Sequence, residues 1–185
     1  MNKTLYNDIK SLLNPEIIQD IDQEKGEVTL KETDKKAKLK SVLLRGLDKN
    51  AIVFKLDKNK KDFKIKSAFL NPGLKGIHKG CDYVIIDRNT IIFCELKSKN
   101  IKGADEQLIC SIPFIDYLLS LLKIHKKKSE CFHQYFIKFS YPSSKLKKQR
   151  GKNGWLDTKS TEYKGKNYII THAKYNKINI GKATN

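Results

Sequence analysis

The middle of the chain contains two short apolar segments that lie almost next to each other in sequence. These segments, 81–87 (CDYVIID) and 91–97 (IIFCELK), are rich in β-branched and aromatic residues, which favour β-strands. Only Arg88-Asn89-Thr90 separates them, and so short a connection is typical of a β-hairpin. The sequence therefore predicts a sheet with this hairpin at its centre.

Helical and strand-like patterns alternate on both sides of the hairpin. Apolar residues recur at helical spacing in 5–21, where Pro15 is expected to kink or split the helix, and in 104–123, where Pro113 has the same effect. Strand-like segments are expected at 27–33, 51–57, 63–69, 130–140, 168–172 and 177–180. Segment 38–47 fits either type, and 71–80 and 141–154 are expected to be loops. This order predicts a mixed α/β (α+β) fold rather than a helical bundle.

The chain length is compatible with a single domain. At 185 residues with 39% hydrophobic content, one core of usual size is expected. We predict one domain over 1–185, with a core of about 27–140, an N-terminal helix and a basic C-terminal extension.

The formal net charge of +18 predicts a polyanionic partner, and nucleic acid is the obvious one. Lysine supplies most of this charge, a composition that an AT-rich genome also produces without selection for binding. The candidate nucleic-acid contacts flank the hairpin or lie in the basic loop: Lys79, Lys99, Lys145, Lys147, Lys148 and Arg150.

No segment has the pattern expected for export or for a membrane span. The N-terminus lacks a signal-peptide pattern, and the longest apolar stretch, 108–124, is interrupted by Pro113 and Asp116 and is shorter than the ~20 residues that a span requires. The four cysteines do not form a CxxC pair. We expect a cytoplasmic protein with no membrane partner.

The residues with chemical potential lie at the open end of the hairpin. Glu95 and Lys97 are two residues apart on one strand and therefore point to the same face, whereas Cys94 points to the other face. Asp82, at the start of the partner strand, can bring a second carboxylate to them. Two carboxylates and the backbone carbonyl of Cys94 form a hard-oxygen site suited to Mg²⁺ or Mn²⁺. A neighbouring lysine can orient a water molecule and stabilise charge on a phosphate.

The triplet acid-x-Lys alone has little meaning in so lysine-rich a chain, where it occurs six times. Only the triplet at Glu95 ends an apolar strand that is paired with another strand beginning in Asp. The best competitor, Glu162-Tyr163-Lys164, lies in a polar stretch that resembles a loop. The alternative for Glu95 and Lys97 is a surface pair on an edge strand.

Segments 80–86 (GCDYVII) and 92–97 (IFCELK), followed by a long helix, resemble the PD-(D/E)xK nuclease superfamily, which includes many restriction-type endonucleases. The resemblance covers roughly 65–123. It implies a restriction-endonuclease-like core, a central mixed β-sheet flanked by helices, with divalent-metal dependence and phosphodiester hydrolysis. It also implies that Asp82 and Glu95 are metal ligands and that Lys97 is the catalytic lysine. Gln107 matches a glutamine that some members carry in the following helix.

This chain departs from the family pattern at three points. Cys81 replaces the proline before Asp82, and Ser111 stands where a Gln-x-x-x-Tyr pattern would have tyrosine. The acidic residue that many members have in the first helix has two candidates, Glu16 and Glu32.

These observations give three hypotheses. The first is a metal-dependent endonuclease that acts on DNA rather than RNA, with restriction or anti-phage defence as its setting. The second is a non-catalytic basic nucleic-acid-binding protein, or a subunit of a nucleoprotein complex, with a degenerate nuclease fold. The third is an interaction domain whose charge reflects genomic composition. A homodimer or a larger protein complex stays open under each.

Overall fold

The computed structural model describes residues 3–32, 35–56, 79–98, 103–141, 156–174 and 177–180. Three α-helices lie in these ranges: α1 (Lys3–Leu12), α2 (Ala104–Cys110) and α3 (Ile112–Lys126). A 3-10 helix covers Pro15–Ile17. The strands are β1 (Ile18–Gln19), β2 (Glu27–Lys31), β3 (Ser41–Arg45), β4 (Ile52–Lys55), β5 (Tyr83–Asp87), β6 (Thr90–Lys97), β7 (His133–Ser140), β8 (Leu156–Tyr163), β9 (Lys166–Ala173) and β10 (Lys177–Asn179).

The strands form two sheets. The larger has seven strands in the order β1-β4-β5-β6-β7-β9-β8, and the smaller has three in the order β10-β3-β2. Strands β6, β7 and β9 are parallel to one another, and β10 is parallel to β3. The remaining pairs are antiparallel. The prediction of a mixed α/β fold with a mixed sheet is confirmed.

The predicted hairpin is the antiparallel pair β5 and β6. Tyr83 lies opposite Cys94, and Asp87 lies opposite Thr90. The turn between the strands contains Arg88 at a φ of 51°, a left-handed conformation typical of tight hairpin turns. The hairpin lies in the interior of the seven-stranded sheet, since β4 pairs with β5 and β7 pairs with β6.

Two hydrophobic clusters cover the two faces of the large sheet. Ile91 and Phe93 of β6 pack on the side of the helices, whereas Ile92, Cys94 and Leu96 pack on the side of the small sheet. This alternation follows from the two-residue period of a strand. A strand that is buried on both faces reads as a continuous apolar run, which is the pattern that β6 has up to Cys94.

The interruptions predicted at the two prolines are present, but the helical prediction for 5–21 was wrong at its end, where Ile18–Gln19 is strand β1. Helix α1 ends at Leu12 and a 3-10 helix begins at Pro15, while Pro113 lies in the first turn of α3, where proline is well tolerated.

Among the described residues, the stretch Ala104–Lys126 is apolar and long enough to pass a length-and-composition test for a membrane span. It consists of α2 and α3, and its buried residues, such as Leu108, Ile115 and Leu122, pack in the helix-side cluster.

The sequence prediction was wrong for the segment around Glu162. The expected loop-like stretch is the edge strand β8, which pairs with β9 along its whole length, from Leu156 opposite Ala173 to Tyr163 opposite Lys166. Most of its described side chains are exposed or half-buried, so it lacks the apolar alternation by which strands are recognised. The large sheet therefore continues well past the predicted core boundary at about 140.

The segment that fitted either type, 38–47, contains β3 (Ser41–Arg45). The predicted strand 63–69 lies outside the described residues, as do most of the predicted loop 71–80 and all but the first residue of the predicted loop 141–154.

Candidate active site

Glu95 is a buried carboxylate in the middle of the larger sheet. It lies on β6 and is fully buried, with Tyr83 of β5 opposite its neighbour Cys94 and Lys138 of β7 beside it. The alternative of a surface pair on an edge strand is therefore wrong, because β6 is an interior strand. A buried carboxylate contributes little to stability unless it is well compensated, so its surroundings need a close description.

Asp82 and Glu95 are locked together by backbone hydrogen bonds. The N–H of Asp82 donates to Oε2 of Glu95 over 3.1 Å, and Oδ2 of Asp82 accepts from the N–H of Leu96 over 2.7 Å. Strand β5 begins one residue after Asp82. The two carboxylates thus continue the hydrogen bonding of the hairpin beyond the end of the β5–β6 ladder. The structure brings both predicted carboxylates to one place.

Lys97 and Gln107 complete the cluster. The Nζ atom of Lys97 lies 2.5 Å from Oε1 of Glu95 and donates to Oε1 of Gln107 over 2.7 Å. The amide of Gln107 donates in turn to the carbonyl oxygen of Gly80 over 3.4 Å. The side chain of Lys97 is 23% exposed, so its ammonium can meet a ligand from solvent. The structure therefore places all four predicted catalytic residues in one connected group.

Burial dominates the electrostatics of Glu95. Burial, together with the charge of Asp82, raises the pKa of this carboxyl from 4.5 to about 8, although Lys97 opposes both effects. Oε1 of Glu95 is buried, and the ammonium of Lys97 is its close partner, in a charge-assisted contact. A carboxylate oxygen that faces one cationic group in this way is also a suitable ligand for a metal ion.

The donor set is compatible with a magnesium or manganese ion. Asp82 and Glu95 supply carboxylate oxygens, which these ions prefer. In the part of the chain that the structure describes, no group of three or more His, Cys, Asp or Glu side chains could hold a metal. Neither Glu16 nor Glu32 therefore joins the two carboxylates.

The backbone carbonyl that was expected to help, that of Cys94, faces strand β5. Residues of a strand direct their N–H and C=O groups to the same neighbour, and the N–H of Leu96 points to Asp82. By the same rule the carbonyl of Leu96 lies on the β5 side, beyond the last pair of the β5–β6 ladder, whereas Cys94 lies opposite Tyr83 within the ladder. Leu96 is the better candidate for a carbonyl ligand.

Sequence reasoning missed Ser111. This residue is fully buried at the junction of α2 and α3. Its Oγ accepts from the N–H of Cys81 over 2.7 Å and donates to the carbonyl of Gln107 over 2.7 Å. Ser111 thereby ties the helix that carries Gln107 to the residue before Asp82. Its place four residues after Gln107 was the available signal, although tyrosine was the expected residue there.

Of the six predicted nucleic-acid contacts, the structure describes Lys79. Lys79 forms an ion pair with Glu106 of α2, close in sequence to Gln107. The other five lie outside the described residues: Lys99, Lys145, Lys147, Lys148 and Arg150. A further lysine that the sequence did not single out, Lys138 on β7, lies beside Glu95 in the sheet and pairs with Asp105 over 2.7 Å.

Comparisons of this chain with protein-family models, with curated proteins and with solved structures found no match. A functional conclusion therefore rests on the residues of the site. They comprise two interlocked carboxylates and a lysine held between Glu95 and Gln107.

Proposed function

We propose that this chain is a divalent-metal-dependent nuclease that hydrolyses phosphodiester bonds, with DNA as the favoured substrate. One observation carries the proposal: Glu95 is buried beside Asp82, and its Oε1 atom faces the ammonium of Lys97. Perturbed carboxylates of this kind are typical of functional sites.

In the proposed reaction, Asp82, Glu95 and the carbonyl of Leu96 hold the cation. A bound Mg²⁺ or Mn²⁺ supplies a Lewis acid for the phosphoryl oxygen and lowers the pKa of water. Lys97 places a positive charge where negative charge grows on the phosphate, and it can orient the attacking water. Gln107 fixes the position of the lysine through its side-chain oxygen.

The arrangement of secondary structure supports a restriction-endonuclease-like core as part of the proposal. The antiparallel hairpin β5–β6 is followed by α2 and α3 and then by β7, which is parallel to β6. Polar residues of the site lie at the carboxyl end of β6, where ligands bind in open α/β sheets. The net charge of +18 favours a nucleic-acid substrate.

The proposal is tested with the purified chain and plasmid or linear DNA. Cleavage is expected with Mg²⁺ or Mn²⁺ and is expected to stop when EDTA is added. Lys97→Ala should reduce the rate by about 10²–10³, the usual cost of losing one such electrostatic contact. Glu162→Ala is the matched control, because Glu162 belongs to the same kind of triplet on the edge strand β8 and should leave cleavage unchanged.

A second function, binding of nucleic acid without catalysis, is favoured by one observation. Among the described residues, no group of three or more His, Cys, Asp or Glu side chains could hold a metal. On this alternative the chain binds DNA with an affinity that falls steeply with salt but does not cleave it with any divalent ion. Cleavage by the wild type excludes it.

A further inference from the structure

Polar side chains continue from the candidate site onto the two neighbouring parallel strands. In the sheet register, Lys138 lies beside Glu95, Ser140 lies beside Lys97, and His172 of β9 lies beside Lys138. Side chains of paired residues point to the same face of a sheet. Lys138, Ser140 and His172, here named the polar row, therefore extend the helix-side face of the site across two more strands.

The polar row is more buried than a surface patch. Ser140 is 8% exposed and the side chain of Lys138 is 13% exposed. The hydroxyl of Ser140 is hydrogen-bonded to Nε2 of His172 over 2.8 Å. Further back on the same face of β7 and β9 lie the apolar residues Phe136 and Ile170. Burying a lysine and a histidine costs desolvation energy, which the ion pair of Lys138 with Asp105 and the hydrogen bond of His172 with Ser140 offset in part.

Burial and nearby charges favour the neutral form of the His172 imidazole, which can still form hydrogen bonds. Burial, Lys138 and Lys174 lower the pKa of the imidazole, while Asp157 and Asp105 oppose this. Lys138 has three N–H donors, and Asp105 is its one ion-pair partner in the described part of the chain. Lysine, serine and other hydrogen-bonding side chains are the usual contacts of nucleic-acid phosphates.

We propose that the polar row binds a phosphodiester of the substrate strand next to the one held at Asp82, Glu95 and Lys97. This inference rests on the proposed function, because it takes the ligand to be a nucleic acid. Strands β6, β7 and β9 run in the same direction, and the row lies near their carboxyl ends, the ligand-binding edge of such sheets. With strands about 4.8 Å apart, the row reaches about 10 Å from β6, so one extended polyanion can contact both regions.

The test measures the binding of a fluorescently labelled DNA strand of about ten nucleotides, within the range of single-strand site sizes, to the full chain in EDTA. Lys138→Met should weaken binding about tenfold, since hydrogen bonds to charged groups are among the stronger ones. It should also reduce the slope of log K against log salt by about 1. Ser140→Ala with His172→Ala should weaken binding with little change in that slope. Lys123→Met, on the exposed side of α3, is the matched control and should change neither quantity.

Lys138→Met leaves Asp105 without its ion-pair partner, and the single variant could fail to fold for that reason. The double variant Lys138→Met with Asp105→Asn removes both members of the ion pair, so binding can then be measured on a folded protein. Wild-type cleavage with Mg²⁺ is measured in parallel. If the wild type cleaves DNA and the polar-row variants bind like Lys123→Met, the polar row is not a subsite and the proposed function stands. If the polar-row variants lose DNA binding and the wild type does not cleave DNA, the polar row is supported as a DNA-binding subsite and the proposed catalysis is refuted. Absence of any binding by the wild type at low salt overturns the inference.

Discussion

Glu95→Gln should make the protein more stable at alkaline pH, although it replaces a residue of the candidate site. The substitution keeps the size of the side chain and removes a charge that burial disfavours. Burial and the neighbouring Asp82 raise the pKa of Glu95 from 4.5 to about 8. At about 1.36 kcal/mol for each pKa unit, this corresponds to about 5 kcal/mol, which is an upper limit, because the protein can relax around the charge.

The sign follows from proton linkage. The folded state holds the proton of Glu95 up to a pH of about 8, whereas the unfolded chain releases it near its ordinary pKa of 4.5. This contribution to stability is complete below about pH 4.5 and is lost as the pH rises to about 8. Glu95→Gln lacks this dependence, so its advantage over the wild type should grow through that window and level off above it.

Urea unfolding in EDTA at several pH values between 4 and 9 measures the difference. Asp87, whose pKa is also raised by burial, contributes equally to both proteins and cancels. Glu162→Gln, an exposed carboxyl, should stay within about 0.5 kcal/mol of the wild type throughout. A difference between Glu95→Gln and the wild type that does not change with pH, or a Glu95→Gln protein that is less stable at pH 9, would refute the reasoning.

Further predictions concern the support of the site and of the fold. Ser111→Ala leaves the buried N–H of Cys81 without its acceptor and should cost about 1–3 kcal/mol in urea unfolding. Ser111→Thr should recover most of this loss, and an alanine variant as stable as the wild type would contradict the role given to the hydroxyl. Gly26→Ala places a Cβ 2.6 Å from the carbonyl oxygen of Leu47 at a φ of +61° and should cost at least about 1 kcal/mol. Gly165→Ala is its control, since it has a similar φ and no atom within 4 Å.

The sequence predicted those parts of the site that depend on local pattern. The alternation of β6 placed Glu95 and Lys97 on one face, and the short turn placed Asp82 near them. Helical spacing and the position of Pro113 indicated the helix that carries Gln107. Each of these inferences needs only neighbours within about 25 residues along the chain.

Contacts between distant segments could not be predicted in the same way. The polar row exists because β7 pairs with β9, and Ser140 and His172 are separated by 32 residues. Strand β8 was missed because an exposed edge strand carries no apolar alternation. Ser111 was set aside because it is not tyrosine, and its role is visible only from its hydrogen bonds to two other segments.

The central claim is that Asp82, Glu95 and Lys97 form a metal-dependent catalytic site, and DNA cleavage by paired variants tests it most directly. Wild type, Glu95→Ala and Glu162→Ala are compared with Mg²⁺, with Mn²⁺ and with EDTA, after unfolding curves show that each protein is folded. The account predicts cleavage by the wild type and by Glu162→Ala with either metal, none with EDTA, and a loss of at least about 10² in rate for Glu95→Ala. Cleavage that survives in Glu95→Ala, or a folded wild type that cuts DNA with neither metal, would contradict it.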